Sequence, residues 1–222
     1  MGEFIKLTTK DGVTIGAYKA EPSGAPRGGI VVLQEIFGVN AHIRKIADGF
    51  AAQGYLVVAP ALFDRIAPDV DLGYEPDDFK RGMEICVRTK LEDVLMDIEA
   101  AIAVAAQVGR VGIVGYCWGG TMAYAATAHL SGLAAAVCYY GSGIAGMVHE
   151  TLRAPIEFHF GERDKSIPSA DVEKIRAAHP DSAYFLYPAD HGFNCDMRPS
   201  YDEQSAALAR SRTLEFFLRH MG

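Results

Sequence analysis

Apolar and polar positions follow two different rhythms along the chain, and the switches between them mark the elements. "EFIKLTT" and "VTIGAYKA" flank Asp11-Gly12 and read as two short strands joined by a hairpin turn. "GGIVVLQ", Gly28 to Gln34, is an unbroken apolar run, the pattern of a strand covered on both faces of a parallel sheet. "HIRKIADGFAAQG" then shifts to helical spacing, with Ile43, Ile46, Ala47 and Phe50 on one face and Gly54 as its stop. "YLVVAP" is the next strand. The segment from Asp64 to Asp78 is rich in aspartate, carries two prolines and reads as a long exposed loop.

Beyond it, "LEDVLMDIEAAIAVAAQV" is a helix, "RVGIVG" a strand and "TMAYAATAHL" a helix. "LAAAVCYYG", "PIEFHFG" and "AYFLYPA" are three further strands, and "SADVEKIRAAH" and "EQSAALARSRTLEFFLRHM" two further helices. Strands alternating with helices, and rich in Val, Ile and Ala, predict an α/β fold with a mostly parallel central sheet and helices on both faces. Without repeats or a linker, residues 1–222 read as one domain.

Composition narrows the function classes. Half of the 222 residues are hydrophobic and 22% charged, enough for a large core. A formal charge of −7 without a Lys/Arg cluster argues against nucleic-acid binding. The four cysteines (Cys86, Cys117, Cys138 and Cys195) form no C-x-x-C pair, so neither a disulfide scaffold nor a metal site is expected. The start lacks a basic-then-apolar leader, and no apolar run is long enough to span a membrane. The expectation is a cytoplasmic enzyme with reduced thiols, acting away from membranes on a small molecule, as a monomer with association between copies left open.

Candidate chemistry begins at "VGIVGYCWGG". Gly115-x-Cys117-x-Gly119 stands between a strand and a helix, the setting of a nucleophile elbow with Cys in place of Ser. Glycines let the sharp turn pack against its neighbours, the helix N-terminus favours a thiolate, and the Trp118 N–H can face an oxyanion. A small buried cysteine in a tight junction is the competing explanation. The elbow order of nucleophile, acid, histidine then asks for two partners downstream. His149 and His179 sit at element edges, His159 inside a strand and His220 in the last helix, which leaves His191 in the polar loop "YPADHGFN". Asp164 in "GERDKSIP" follows the preceding strand, with Asp190 as its rival. Cys117, Asp164 and His191 all fall at the carboxyl ends of predicted strands, where open α/β sheets bind ligands.

With "QEIFGVN" (Gln34 to Asn40), "GYCWGG", "GERD" and "DHGFN" in place, nearly the whole chain resembles the dienelactone hydrolase (carboxymethylenebutenolidase) family. The resemblance implies a cofactor-free α/β-hydrolase fold that opens enol-lactones by thiol acylation, in aromatic compound degradation. It implies Cys117 as nucleophile, His191 as base, Asp164 as orienting acid, and the N–H groups of Ile36 and Trp118 as oxyanion donors. It also implies that Glu35 lies beside the thiol and takes part in its activation. The family clamps a substrate carboxylate with two arginines. Arg81, in the helix after the long loop, matches one; the other position holds Cys195, with Arg198 three residues on. Trp118 and the Tyr139-Tyr140 pair are candidates for an aromatic wall.

The expected function is therefore a cysteine-dependent hydrolase of lactone or ester bonds in small anionic molecules. Thioester hydrolysis, or another acyl transfer, would use the same apparatus. A non-catalytic ligand binder or thiol-based oxidant sensor remains the reading from a different class.

Overall fold

The computed structural model describes residues 2–222. Eight strands form a single sheet in the order β1-β2-β4-β3-β5-β6-β7-β8. β1 (Glu3–Thr8) and β2 (Thr14–Ala20) make the expected hairpin around Asp11-Gly12, and β2 lies antiparallel to β4 (Leu56–Pro60). All the other pairings, through β3 (Gly29–Leu33), β5 (Val111–Tyr116), β6 (Leu133–Tyr139), β7 (Ile156–Gly161) and β8 (Ala183–Tyr187), are parallel.

Burial explains which strands are central. Every residue of β3, β4, β5 and β7 is buried, as their near-continuous apolar runs require, whereas β1 at one edge is largely exposed. α1 (Ala41–Ala51) and α6 (Glu203–Met221) cover one face and meet through Phe50 and Phe217. α3 (Leu91–Ala105) and α4 (Trp118–His129) pack together on the opposite face, and α5 (Ser169–Ala178) lies beside α4, where Tyr124 Oη meets His179 Nε2 at 2.7 Å. The fold is an α/β-hydrolase fold, with the ends of β3, β5, β7 and β8 opening on one rim.

The segment after β4 departs from the expectation of an exposed loop. Its final residues belong to α2 (Pro76–Cys86), which starts with proline at N1 and a Glu75–Asp78 capping box. The remainder is stitched down. Ile66, Val70, Leu72 and Tyr74 pack on a small apolar cluster of Ile36, Phe37, Phe63 and Ile85. Leu72 N–H donates to the Phe37 carbonyl at 2.9 Å, and Asn40 Nδ2 donates to the Leu72 carbonyl at 3.0 Å. Asp69, Asp71 and Asp77 face solvent, Asp64 and Asp78 accept from backbone N–H groups, and the apolar residues between them cover the turn that follows β3.

Candidate active site

Cys117 is the residue between the end of β5 and the start of α4, held at φ 55° and ψ −118°. A non-glycine residue persists in that region only where its surroundings over-determine it. Here they do. Cys117 N–H donates to the Tyr139 carbonyl at 3.0 Å, and its own carbonyl accepts from Gly120 and Thr121. A Cβ at Gly115 would overlap the Gly119 carbonyl, and one at Gly119 would overlap the carbonyls of Leu33 and Gln34. The glycine spacing is thus a steric requirement of the turn.

Three loops bring the partners to this sulfur. His191 Nε2 lies 3.0 Å from Cys117 Sγ, and His191 Nδ1 lies 2.7 Å from Asp164 Oδ2. Asp164 follows β7, its carboxylate is fully buried, and its second oxygen accepts from Ser166 N–H at 2.8 Å. Asp190, the rival, is exposed and accepts the backbone N–H of His191 itself, so it caps the loop instead of orienting the ring. Burial works against a charged ring at His191, but the hydrogen bonds to Asp164 and Cys117 outweigh it together and raise its pKa to about 10. The ring thus bridges a buried carboxylate and the sulfur, the arrangement in which an imidazole can take up and pass on a proton.

The turn after β3 supplies the facing wall. Gln34 fixes its path, accepting from Leu62 N–H at 3.1 Å through Oε1. Ile36 is buried there, and Trp118 opens α4, where first-turn N–H groups have no partner within the helix. Glu35 is expected beside the thiol, yet its carboxylate hydrogen-bonds elsewhere. Oε2 accepts from Tyr74 Oη at 2.9 Å, and Oε1 from Arg198 Nη1 at 3.2 Å. Only 1% of Glu35 is exposed, and a charge so buried goes to the strongest donors in reach.

A cleft of about 440 Å³ opens over the sulfur, and Cys117, His191, Ile36, Trp118 and Arg198 all line it. Two expected binding residues do not. Arg81 is 54% exposed on the outer side of α2, 3.8 Å from Glu84. Tyr139 is buried in the core, stacked on His159 and bonded to Thr213 at 2.8 Å. Tyr140, just past the end of β6 and held at φ 37°, is the one whose ring meets His191, with centroids 5.1 Å apart. Phe79, Met83 and Cys86 are among the cleft residues not identified from sequence, and Tyr74, which holds Glu35, was missed as well. Phe79 and Met83 carried a signal, being four residues apart in a helix next to the elbow.

Comparison with known proteins adds a family. The model of the Dienelactone hydrolase family matches residues 15–221. A provisionally named carboxymethylenebutenolidase of Synechocystis sp. is 37% identical over 224 residues, with 91% of each chain covered. Another, of Escherichia coli, is 36% identical, with 95% of this chain and 84% of that one covered. The crystal structure of a provisionally named dienelactone hydrolase from Klebsiella pneumoniae superposes with a TM-score of 0.87 at 33% identity, over 99% of this chain and 98% of that one.

Proposed function

The chain belongs to the dienelactone hydrolase family and is a hydrolase, and from that premise we propose that it cleaves lactone and ester bonds of small substrates through a thioester on Cys117. The observation that carries this reading is the line Sγ–Nε2–Nδ1–Oδ2, with links of 3.0 and 2.7 Å, at a strained elbow beneath an open cleft. Sulfur attacks the acyl carbon while the N–H groups of Ile36 and Trp118 receive the developing oxyanion. One such donor is worth about 2.7–4 kcal/mol to the transition state. As the tetrahedral intermediate collapses, His191 passes its Nε2 proton to the departing alkoxide. The now neutral ring takes a proton from water, which attacks the thioester and releases the acid and the thiolate, restoring the ion pair.

Arg198 gives the substrate its anionic character in this scheme. Its guanidinium lines the cleft with one nitrogen on Glu35, leaving donors that a carboxylate can accept from. A substrate carboxylate there competes with Glu35 for the same cation, coupling substrate arrival to the buried glutamate. The test is hydrolysis of a chromogenic acetate ester before and after stoichiometric alkylation. Loss of turnover in step with labelling of Cys117 is the expected result; unchanged turnover with Cys117 fully labelled refutes it. Lactones and thioesters assayed side by side then rank the two acyl classes.

A further inference from the structure

The floor of the cleft holds the reacting groups, and its mouth is built from different material. α2 can lie directly on the turn after β3 because residue 82 is glycine: a Cβ there would overlap the Ile36 carbonyl. Ile85, fully buried, anchors the same face of the helix against Ile36, Phe37 and Phe63. With that face fixed, Phe79, Met83 and Cys86 line the cleft across from the elbow.

Phe79 and Met83 remain 51% and 39% exposed, two large apolar side chains four residues apart on the wall of a reactive cleft. Isolated exposed apolar residues are ordinary, but a pair facing a bound molecule's space gains from covering that molecule. The charges point the same way. Arg81, on the same helix, faces Glu84 outside the cleft. Among the described residues lining the cleft, the cationic groups are Arg198, shared with Glu35, and His191, shared with Asp164 and Cys117. One substrate carboxylate can be met by Arg198. A second would be desolvated against Phe79 and Met83 without a donor, which is costly.

We propose that Phe79, Met83 and Cys86 form a specificity wall that takes an uncharged aromatic or alkyl group, so the preferred substrates are lactones and esters with an apolar substituent and at most one carboxylate. The proposal rests on Cys117 being the nucleophile of this cleft. The helix face decides what is hydrolysed, and the triad decides that it is hydrolysed.

The test uses three esters with the same acyl group: ethyl acetate, phenyl acetate and 5-acetoxyisophthalate, whose two ring carboxylates cannot both reach Arg198. The wild-type protein is expected to favour phenyl acetate over the dicarboxylate in kcat/KM by about tenfold or more, in the range that apolar pockets deliver. Replacing Phe79→Ser and Met83→Ser together should reduce the phenyl-to-ethyl ratio by about tenfold. Val87→Ser, at the C-cap just past α2 and 74% exposed, should leave that ratio unchanged. Phe79→Lys should shift preference towards the dicarboxylate, a gain that damaged folding cannot imitate. A wild-type preference for the dicarboxylate, or a ratio unmoved in the double variant, overturns the wall. Cys117→Ala, run in parallel, keeps the two ideas separate. If it is inactive on all three esters, the ratios alone judge the wall; if it matches the wild type, the nucleophile fails and the wall with it.

Discussion

The molecule contains two assemblies of thiol, imidazole and carboxylate, and they behave in opposite ways. Cys117, His191 and Asp164 form one. Cys195, His42 and Asp196 form the other: His42 Nδ1 lies 3.3 Å from Asp196, and the Cys195 sulfur and a His42 nitrogen lie within 4.8 Å of each other and of Glu35. In the first, hydrogen bonds to a fully buried carboxylate at 2.7 Å and to the sulfur raise the ring's pKa despite burial. In the second, burial dominates and lowers the pKa of His42, because Asp196 is farther away and also paired with Lys45. Burial likewise pushes the Cys195 thiol up to about 12. His42 Nε2 has no hydrogen-bond partner, while His191 Nε2 sits on sulfur. Residue types are the same; access, backbone strain and the N-terminus of α4 distinguish the proposed reactive site from the packed one.

The sharpest way to break that comparison is to remove each sulfur. Cys117→Ala should lower ester hydrolysis by about 10⁴-fold or more, as loss of a covalent nucleophile does, whereas Cys195→Ala should keep kcat within about threefold. Steady-state rates on a chromogenic acetate, with circular dichroism melts to show that both variants fold, decide it. Equal losses in two folded variants would make the buried assembly catalytic and the contrast wrong.

The carboxylates come next. Asp164→Asn leaves the loop intact but removes the charge that fixes the ring's tautomer, and kcat should fall by about 10²–10⁴-fold. Asp196→Asn breaks a half-exposed pairing with Lys45 and should cost less than about 1 kcal/mol of stability, with activity close to wild type. Chemical denaturation and turnover on the same two variants measure both numbers. A silent Asp164→Asn would mean that backbone packing alone orients His191.

How far the sequence reached follows from which features are local. Gly115-x-Cys117-x-Gly119 could be read because the elbow's sterics involve immediate neighbours, and Asp164 and His191 because strand ends mark the rim. The covering loop was misread because the burial of Ile66, Leu72 and Tyr74 depends on the turn after β3, some thirty residues earlier in the chain. Arg81 was matched by position in a family pattern, but position on a helix is angular. Two residues separate it from Phe79, about 200° around the axis, which sends it to the far side from the cleft. The partners of Glu35 were equally out of reach, since Tyr74 and Arg198 come from separate loops.

The last test separates the two histidines by sign. The folded pKa of His42 is lowered, chiefly by burial, so the unfolded chain binds a proton first as pH falls through about 6.5. His42 therefore supports the fold above that pH and weakens it below. The folded pKa of His191 is raised to about 10, so its contribution is complete below about 6.5 and is lost as pH climbs towards 10. Urea midpoints measured from pH 5 to 10 should describe a dome. His42→Gln should flatten its acid side and His191→Gln its alkaline side, each without altering the opposite limb. If both substitutions flatten the same limb, the two imidazoles share one electrostatic environment, and the division between a reactive assembly and a packed one has no basis in charge.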